Sequence, residues 1–296
     1  MPVCALHLVQ LHDASSRGVD GFLNKLFGAT SKPDELSVVT VSLVRSPIIR
    51  PTLVDHKVLN DTPWTLLLVL GGSSAHTLPS VLASSVKTHY SLVSGIPSKI
   101  VNNYDSISDK LRNVQPPPPL LEIKLDDKGD VIVPENKKSS ASTRDDGQDL
   151  SLSPALLNLA KHLNHSAHHH GPVSMLNLLH FHTHEGAVES YHEYGRRFAT
   201  VAGKRGGNAK LVGIVIDPLK EPLKDSRKDR KKDQWWNECT LVHYPSINHF
   251  IDMSVDDEYQ FINKEYRLKG IKDTALICTT EIDSTKFRRS SQGAKL

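Results

Sequence analysis

Short apolar runs alternate with amphipathic stretches along the first third of the chain. The runs have the length of strands, and the stretches repeat their apolar residues at helical spacing. In order, the pattern predicts strand, helix, strand, strand, helix and strand at 3–11, 19–27, 38–44, 64–70, 78–86 and 90–101. The connection at 45–63 carries three prolines, so we expect a surface loop there.

The same order returns after residue 150, behind a leading helix at 153–163 that Ser153 caps and Pro154 begins. The predicted elements are a strand, a helix, two strands, two helices and a strand at 173–182, 187–204, 211–216, 238–244, 247–253, 256–269 and 275–282. This βαββαβ order is typical of the ferredoxin-like motif. The strand at Met175–Leu179 is apolar on both faces, which predicts that both are covered.

The fold class that follows is α+β, with two tandem ferredoxin-like βαββαβ units, each sheet being covered by helices on one side and by a second sheet or a barrel interior on the other. The two sheets pair either within this chain or, through the second unit, with another chain as a homodimer. The tandem arrangement favours pairing within the chain.

Composition divides the chain further. Residues 107–150 contain four consecutive prolines at 116–119, followed by a Lys-, Asp-, Ser- and Gly-rich run, which predicts a disordered linker. A hairpin around 127–129 is the alternative for part of it. The predicted domains are a ferredoxin-like domain, the linker, a second ferredoxin-like domain and a flexible basic tail at 1–106, 107–150, 151–283 and 284–296. We also expect the charged stretch at 218–233 to be a solvated excursion.

Several blocks in 173–283 resemble, in the same order, the domain-of-unknown-function 1330 family of the dimeric α+β barrel superfamily. They are Met175-Leu176-Asn177-Leu178-Leu179-His180-Phe181, Tyr191-His192-Glu193-Tyr194-Gly195, Gly206-Gly207, Trp236-Asn237-Glu238, Leu241-Val242-His243-Tyr244-Pro245-Ser246, Phe250 with Met253, Asp257-Glu258-Tyr259-Gln260, Arg267 and Asp273-Thr274-Ala275-Leu276-Ile277. The resemblance implies a ferredoxin-like domain whose sheet pairs with another to enclose a pocket, so that the two units form a dimeric or pseudo-dimeric α+β barrel. It implies no particular activity, because the superfamily includes monooxygenases, isomerases and haem enzymes. His180 departs from the family, which tends to carry Arg or Lys there.

Charge and cysteine content exclude several classes of protein. The 36 Lys and Arg residues nearly balance 33 Asp and Glu residues, so we expect no nucleic-acid partner. The longest apolar run, at 65–70, is far shorter than the ~18 residues of a membrane span, and the first residues lack the basic region of a secretion signal. Cys4, Cys239 and Cys278 are odd in number and far apart, which favours a reducing environment without disulfides.

Two polar residues in the apolar strand at 173–182 are the first candidates for a pocket. His180 is the candidate catalytic acid or base, because an imidazole exchanges protons near neutral pH. Asn177 needs hydrogen-bond partners or a cavity, and is a candidate ligand-binding residue. The two have opposite parity, so only one faces the pocket, and the sequence leaves open which.

The other candidate ligand-binding residues are Tyr191, Tyr194, Trp236 and Arg267. The aromatic residues are also explained by packing between helix and sheet, with their polar atoms at the rim. Arg267 either clamps a ligand carboxylate or forms an ion pair with Asp273 or Glu258, and the ion pair is favoured.

Histidines offer an alternative chemistry. His165, His168, His169 and His170 precede the strand, and His180, His182 and His184 alternate along it, which suggests haem or metal binding as an alternative function. The i, i+2, i+4 spacing matches no standard zinc signature. We therefore predict no metal and no cofactor.

The leading functional prediction is an uncharacterised α+β barrel protein that binds or transforms a small apolar organic molecule in the barrel pocket, by cofactor-independent acid–base chemistry. The alternative is a noncatalytic binding or assembly protein whose barrel is filled. The last residues, Ala294, Lys295 and Leu296, resemble the Ser-Lys-Leu peroxisomal address. They predict recognition by the peroxisomal import receptor and a location in the peroxisomal matrix, with the cytoplasm as the alternative.

Overall fold

The structure is a computed structural model, and it describes residues 2–30, 32–140, 148–166, 171–216 and 225–288. Its strands are β1 (Val3–Leu11), β2 (Ser37–Ile49), β3 (Leu66–Gly71), β4 (Val86–Gly95), β5 (Lys124–Leu125), β6 (Val131–Ile132), β7 (Val173–Phe181), β8 (Asn208–Val215), β9 (Glu238–Tyr244) and β10 (Ile271–Glu281). Its helices are α1 (Ser16–Gly28), α2 (His56–Asp61), α3 (Ser98–Arg112), α4 (Pro154–His165), α5 (Ala187–Gly203), α6 (Ile247–Ser254), α7 (Asp257–Ile262) and α8 (Leu268–Gly270). A π-helical turn, Asn263–Arg267, joins α7 to α8, and a 3₁₀ helix, Ser80–Ser85, precedes β4.

Eight antiparallel strands close into one barrel in the order β1-β3-β2-β10-β7-β9-β8-β4. Each unit supplies four of them, in the ferredoxin-like arrangement β4-β1-β3-β2 or β10-β7-β9-β8. The two seams differ: β10 pairs with β2 from Leu276↔Ile49 to Glu281↔Ser42, whereas β4 and β8 share only Ser94↔Val215 and Gly95↔Ile214. The predicted fold class is confirmed, and the two sheets pair within the chain.

The barrel interior is packed with the protein's own side chains. Leucines from both units meet there, and Trp235 and Trp236, both almost fully buried, fill the space beside them. Buried side chains of this kind pack closely in protein interiors. A pocket inside the barrel therefore stays a prediction.

Helices cover the outer face of each sheet. In the first unit, α1 begins behind Ser15, whose hydroxyl accepts a hydrogen bond from the Gly18 backbone N–H at 3.3 Å. Its buried side chains recur at helical spacing at Val19, Phe22, Leu23, Leu26 and Phe27, and they pack on the outward side chains of the first sheet.

The predicted loop at 45–63 is partly regular. Strand β2 continues to Ile49 through Pro47, which lies at a register shift with β10 where no ladder N–H is needed. Helix α2 follows. The predicted helix at 78–86 is a 3₁₀ helix, and the predicted extended piece at 90–101 ends at Gly95, where α3 soon begins and crosses the predicted domain boundary at 106.

The linker prediction at 107–150 is wrong for residues 107–137 and 148–150. Strands β5 and β6 form the alternative hairpin. The backbone N–H groups of Leu121, Glu122 and Ile123 all donate to Asp252 Oδ1, at 3.0, 2.7 and 2.9 Å. Asp252 is fully buried and also pairs with Arg205 at 2.6 Å, so one distant carboxylate orders this stretch. Residues 141–147 lie outside the described residues.

The charged segment at 218–233 was predicted to be a solvated excursion. The part of it that the structure describes begins at Asp225 and contacts the barrel. Asp225 Oδ2 accepts from the Val93 N–H at 3.0 Å, and Ser226 Oγ accepts from the Ser91 N–H at 2.9 Å. These contacts cover β4 beside the short seam with β8. The prediction of a solvated segment is wrong for 225–227, and 217–224 lie outside the described residues.

Candidate functional site

A cavity of about 580 Å³ lies between α5 and the outer face of the second sheet. Its floor consists of side chains that point away from the barrel on β7, β9 and β10: Met175, Asn177, Thr240, Val242 and Leu276. Their sequence neighbours Leu176, Leu178 and Leu241 point into the barrel instead. Alternation along each strand thus separates a solid interior from a hollow outer layer.

Aromatic rings of α5 form one wall of the cavity. Tyr191, Tyr194 and Phe198 follow one another at i, i+3 and i+7, with ring centroids 5.6 and 5.5 Å apart. Tyr259 of α7 continues the row, 6.5 Å from Phe198. Because these rings contact each other along the helix, they line the space without filling it.

The mouth lies between α5 and β8. His192 and Gly195 are exposed on the helix side, and Val212 and Ile214 are 38 % and 54 % exposed on the strand side. His192 Nε2 is 3.4 Å from Glu238 Oε1, which also lines the cavity. A Cβ added at Gly195 would meet only open space.

Buried tyrosine hydroxyls supply polar atoms to a largely apolar site. Burial raises the pKa of Tyr191, and it raises the pKa of Tyr194 and Tyr244 well above the usual value. These hydroxyls therefore stay protonated at neutral pH and can donate hydrogen bonds. Burial also raises the pKa of Tyr259, while the charge of Arg267 and a hydrogen bond with Tyr194 oppose the rise.

Arg267 lies at the end of the π-helical turn and lines the cavity while being only 3 % exposed. Its Nη1 donates to the Gln148 carbonyl at 2.6 Å and to Asn263 Oδ1 at 3.2 Å. A π turn is often found at a functional site, because it displaces side chains from the regular helical path. The predicted helix at 256–269 is interrupted here.

Four of the five predicted ligand-binding residues, Asn177, Tyr191, Tyr194 and Arg267, line this one cavity. Trp236 does not, because it lies in the barrel interior, where its Nε1 donates to the Tyr90 hydroxyl at 2.9 Å.

His180 is likewise separate from the cavity. It is buried, with Nδ1 2.7 Å from the Trp235 carbonyl oxygen, and burial lowers its pKa. The open question of parity is answered: Asn177 faces the cavity. His180 instead holds the backbone beside the tryptophans that fill the barrel.

The favoured ion pair of Arg267 does not form. Asp273 accepts backbone N–H bonds from Thr52, Leu53 and Val54 at 2.9, 2.9 and 2.8 Å. Glu258 pairs with Lys204 at 2.9 Å. Both carboxylates are thus engaged elsewhere, which leaves the other sequence interpretation of Arg267 open.

Sequence reasoning missed several lining residues, among them Thr240, Phe250 and Gly195. Thr240 could have been found from the sequence, because it lies on the same outward face of β9 as Val242 and Tyr244. Gly195 could not have been found in this way, because only the packed structure shows that the space above it is open.

The histidine cluster provides no metal site within the described part of the chain, where no three His, Cys, Asp or Glu side chains converge to hold an ion. His182 and His184 stack on each other with centroids 5.3 Å apart. His168, His169 and His170 fall outside that part.

Ala294, Lys295 and Leu296 also fall outside the described residues, so peroxisomal import stays a prediction. Within the described ranges, no helix has the length and apolar character needed to cross a bilayer.

Comparisons with known proteins give distant similarities. No family model and no curated protein matches the chain. A solved protein of unknown function from Rhodopseudomonas palustris is 26 % identical over 37 % of this chain and 81 % of its own, with a TM-score of 0.29. Putative monooxygenases from Lactobacillus acidophilus and Fusobacterium nucleatum are 7 % and 8 % identical, each over 95 % of this chain and 93 % of their own, with TM-scores of 0.43. The class of this protein, a closed eight-stranded α+β barrel, rests on its own strand order.

Proposed function

We propose that this protein binds a small, largely apolar organic molecule in the cavity between α5 and the second sheet. The observation that carries the proposal is the cavity itself, about 580 Å³ with mainly apolar and aromatic walls and a few polar groups. Ligand sites in proteins have this size and composition.

The barrel then serves as the scaffold. Buried side chains from both units meet in its interior, and the cavity between helix and sheet lies outside it, where we propose the ligand binds. Binding alone accounts for this arrangement.

Acid–base catalysis by His180 has no support from the geometry, because its Nδ1 is engaged with the Trp235 carbonyl and the side chain is absent from the cavity lining. A proton-transfer reaction in the cavity would have to use other groups. The titratable pair that lines it is His192 with Glu238.

We also propose that 173–283 is related to the domain-of-unknown-function 1330 family. The ordered sequence blocks support the relation, and residues of several of them, including Asn177, Tyr194, Phe250 and Tyr259, line the cavity. A profile built from relatives of this chain should score that family above background if the proposal is right.

Binding can be tested with N-phenyl-1-naphthylamine, a neutral dye whose fluorescence rises in apolar surroundings. We expect a saturable rise in dye fluorescence with the wild-type chain. With Gly195→Phe, whose ring would occupy the mouth of the cavity, this rise should be at least tenfold smaller. Gly203→Phe is the matched control, because Gly203 lies on the same helix, is exposed, and has open space around its Cβ position.

The dye should bind the control as it binds wild type. Equal binding to wild type and Gly195→Phe would show that the dye binds elsewhere, and absence of binding to wild type would count equally against the proposal.

A further inference from the structure

Arg267 presents a buried positive charge to the cavity. Two of its hydrogen bonds are described, and both go to neutral oxygens, those of Gln148 and Asn263. Across the described ranges, no Asp or Glu oxygen lies within ion-pair distance of its guanidinium. An arginine carries five N–H donors and keeps its charge in proteins. Burying such a group without an anion is unfavourable, so the site is electrostatically incomplete.

Hydroxyl groups near Arg267 also favour an anion in this part of the cavity. Burial raises the pKa of Tyr191, Tyr194 and Tyr259, whereas the positive charge of Arg267 lowers it. All three hydroxyls therefore lie close enough to the guanidinium to interact with its charge. Protonated tyrosines offer O–H donors, and the side chains of Tyr191, Tyr194 and Tyr259 all line the cavity together with Arg267. Donors and positive charge therefore converge on one end of the cavity, which is the arrangement that an anion requires.

The rest of the lining is mainly apolar, and its anionic member, Glu238, stands beside His192 at 3.4 Å. A ligand that fits both regions has an apolar body and one acidic group.

We propose that the natural ligand is a small organic carboxylate, an aromatic or aliphatic body with one carboxylate group held by Arg267. This inference rests on the proposed function and names its ligand class. A planar guanidinium can donate two parallel hydrogen bonds to one carboxylate, and the aromatic row of α5 would contact the apolar body.

Displacement of N-phenyl-1-naphthylamine by two competitors of equal shape tests the inference. The competitors are 2-naphthoate, which is an anion, and 2-naphthamide, which is neutral. We expect the wild-type chain to bind 2-naphthoate at least tenfold more tightly. The ratio should fall to near one in Arg267→Met, which keeps the length of the side chain and removes its charge. Arg267→Lys should retain part of the preference.

Arg197→Met is the matched control, because Arg197 lies on α5, pairs with Glu193 at 2.6 Å and is absent from the cavity lining. Its ratio should equal that of wild type. If Arg267→Met does not fold, the inference is tested by the ratio of the naphthoate and naphthamide affinities in wild type and in Arg267→Lys.

The outcomes separate the two proposals. Dye binding that Gly195→Phe blocks, together with equal affinity for naphthoate and naphthamide, would overturn the carboxylate inference and leave the binding site intact. A preference for naphthoate that survives in Arg267→Met would also overturn it. Absence of dye and competitor binding would overturn both proposals.

Discussion

The two units of the barrel have the same topology and differ in the layer between sheet and helices. In the first unit, Phe22, Leu23 and Leu26 of α1 are almost fully buried and fill that layer. In the second unit, α5 presents a row of tyrosines to a cavity of about 580 Å³. The layer of the first unit is filled by side chains, while the layer of the second contains a cavity.

One pair of residues shows the same difference at atomic scale. His7 and Asn177 are each the fifth residue of a nine-residue first strand, β1 or β7. Both ring nitrogens of His7 are engaged, with His89 Nε2 and with the Ala75 carbonyl, at 2.7 Å each. Asn177 donates to the Met175 carbonyl at 3.2 Å and lines the cavity. A polar residue in an apolar strand is thus structural in one unit and available to a ligand in the other.

The largest expected difference is in the cost of removing a phenylalanine from each layer. Phe22→Ala should lower the free energy of unfolding by about 4 kcal/mol, because it leaves a void in a filled core. Phe198→Ala should cost less than about 2 kcal/mol, since this partly exposed ring already borders empty space. Urea denaturation of both variants measures the difference. Equal losses would contradict the account of a filled and a hollow layer.

Acid should destabilise the first unit through His7. Burial, together with the nearby His89, lowers the pKa of His7 from 6.5 to about 3. The unfolded chain therefore takes up this proton first as the pH falls. The contribution of neutral His7 to stability is complete above pH 6.5 and declines toward pH 3, by about 1.4 kcal/mol per pH unit.

Between pH 6 and pH 4, wild type should lose about 2.5 kcal/mol more than His7→Asn, a variant that carries at position 7 the residue found at the equivalent position of the second unit. Burial also lowers the pKa of His243, to about 4, but this residue is present in both proteins and cancels in the comparison. Identical pH dependence of the two proteins would show that His7 does not carry this effect.

Leucine at the same two positions should separate the structural role from the ligand-binding role. His7→Leu should cost about 2 kcal/mol, because it leaves the Ala75 carbonyl and His89 without their partner. Asn177→Leu should change stability by less than about 1 kcal/mol and should alter the affinity for N-phenyl-1-naphthylamine. Thermal unfolding and dye titration measure the two effects, and a reversed order would contradict the assignment of roles.

The smallest effect concerns two helical glycines. Gly195→Ala should raise stability by about 0.5 to 1 kcal/mol, because alanine favours the helix and the new Cβ meets open space. Gly18→Ala in α1 should lower stability, because its Cβ would clash with the Asp13 carbonyl oxygen. Calorimetric melting of both variants provides the measurement, and a gain from Gly18→Ala would show that the first layer is looser than described.

Much of this fold could be predicted from local pattern. Strands β1 and β9 have the predicted bounds, because alternation and β-branched residues are local properties. The order of 107–137 could not be predicted, because it depends on Asp252, more than a hundred residues away in the sequence. The docking of 225–227 on β4 is likewise a long-range contact.

The candidate site could be predicted in part for the same reason. Asn177 and Arg267 stood out as polar residues among apolar ones, and both line the cavity. Parity showed that Asn177 and His180 face opposite sides, but which side is hollow depends on how α5 packs. The π turn that positions Arg267 has no signature in the sequence, and Trp236 was misplaced because aromatic residues suit both a core and a pocket.

The most direct test of the ligand site uses the methionine methyl groups. The chain has three methionines, and two of them, Met175 and Met253, line the cavity. In a chain labelled with ¹³C-methyl methionine and titrated with 2-naphthoate, the signals of Met175 and Met253 should shift and saturate together, while that of Met1 stays in place. Saturable binding of 2-naphthoate with the Met175 and Met253 signals unmoved would contradict the assignment of the cavity as the ligand site.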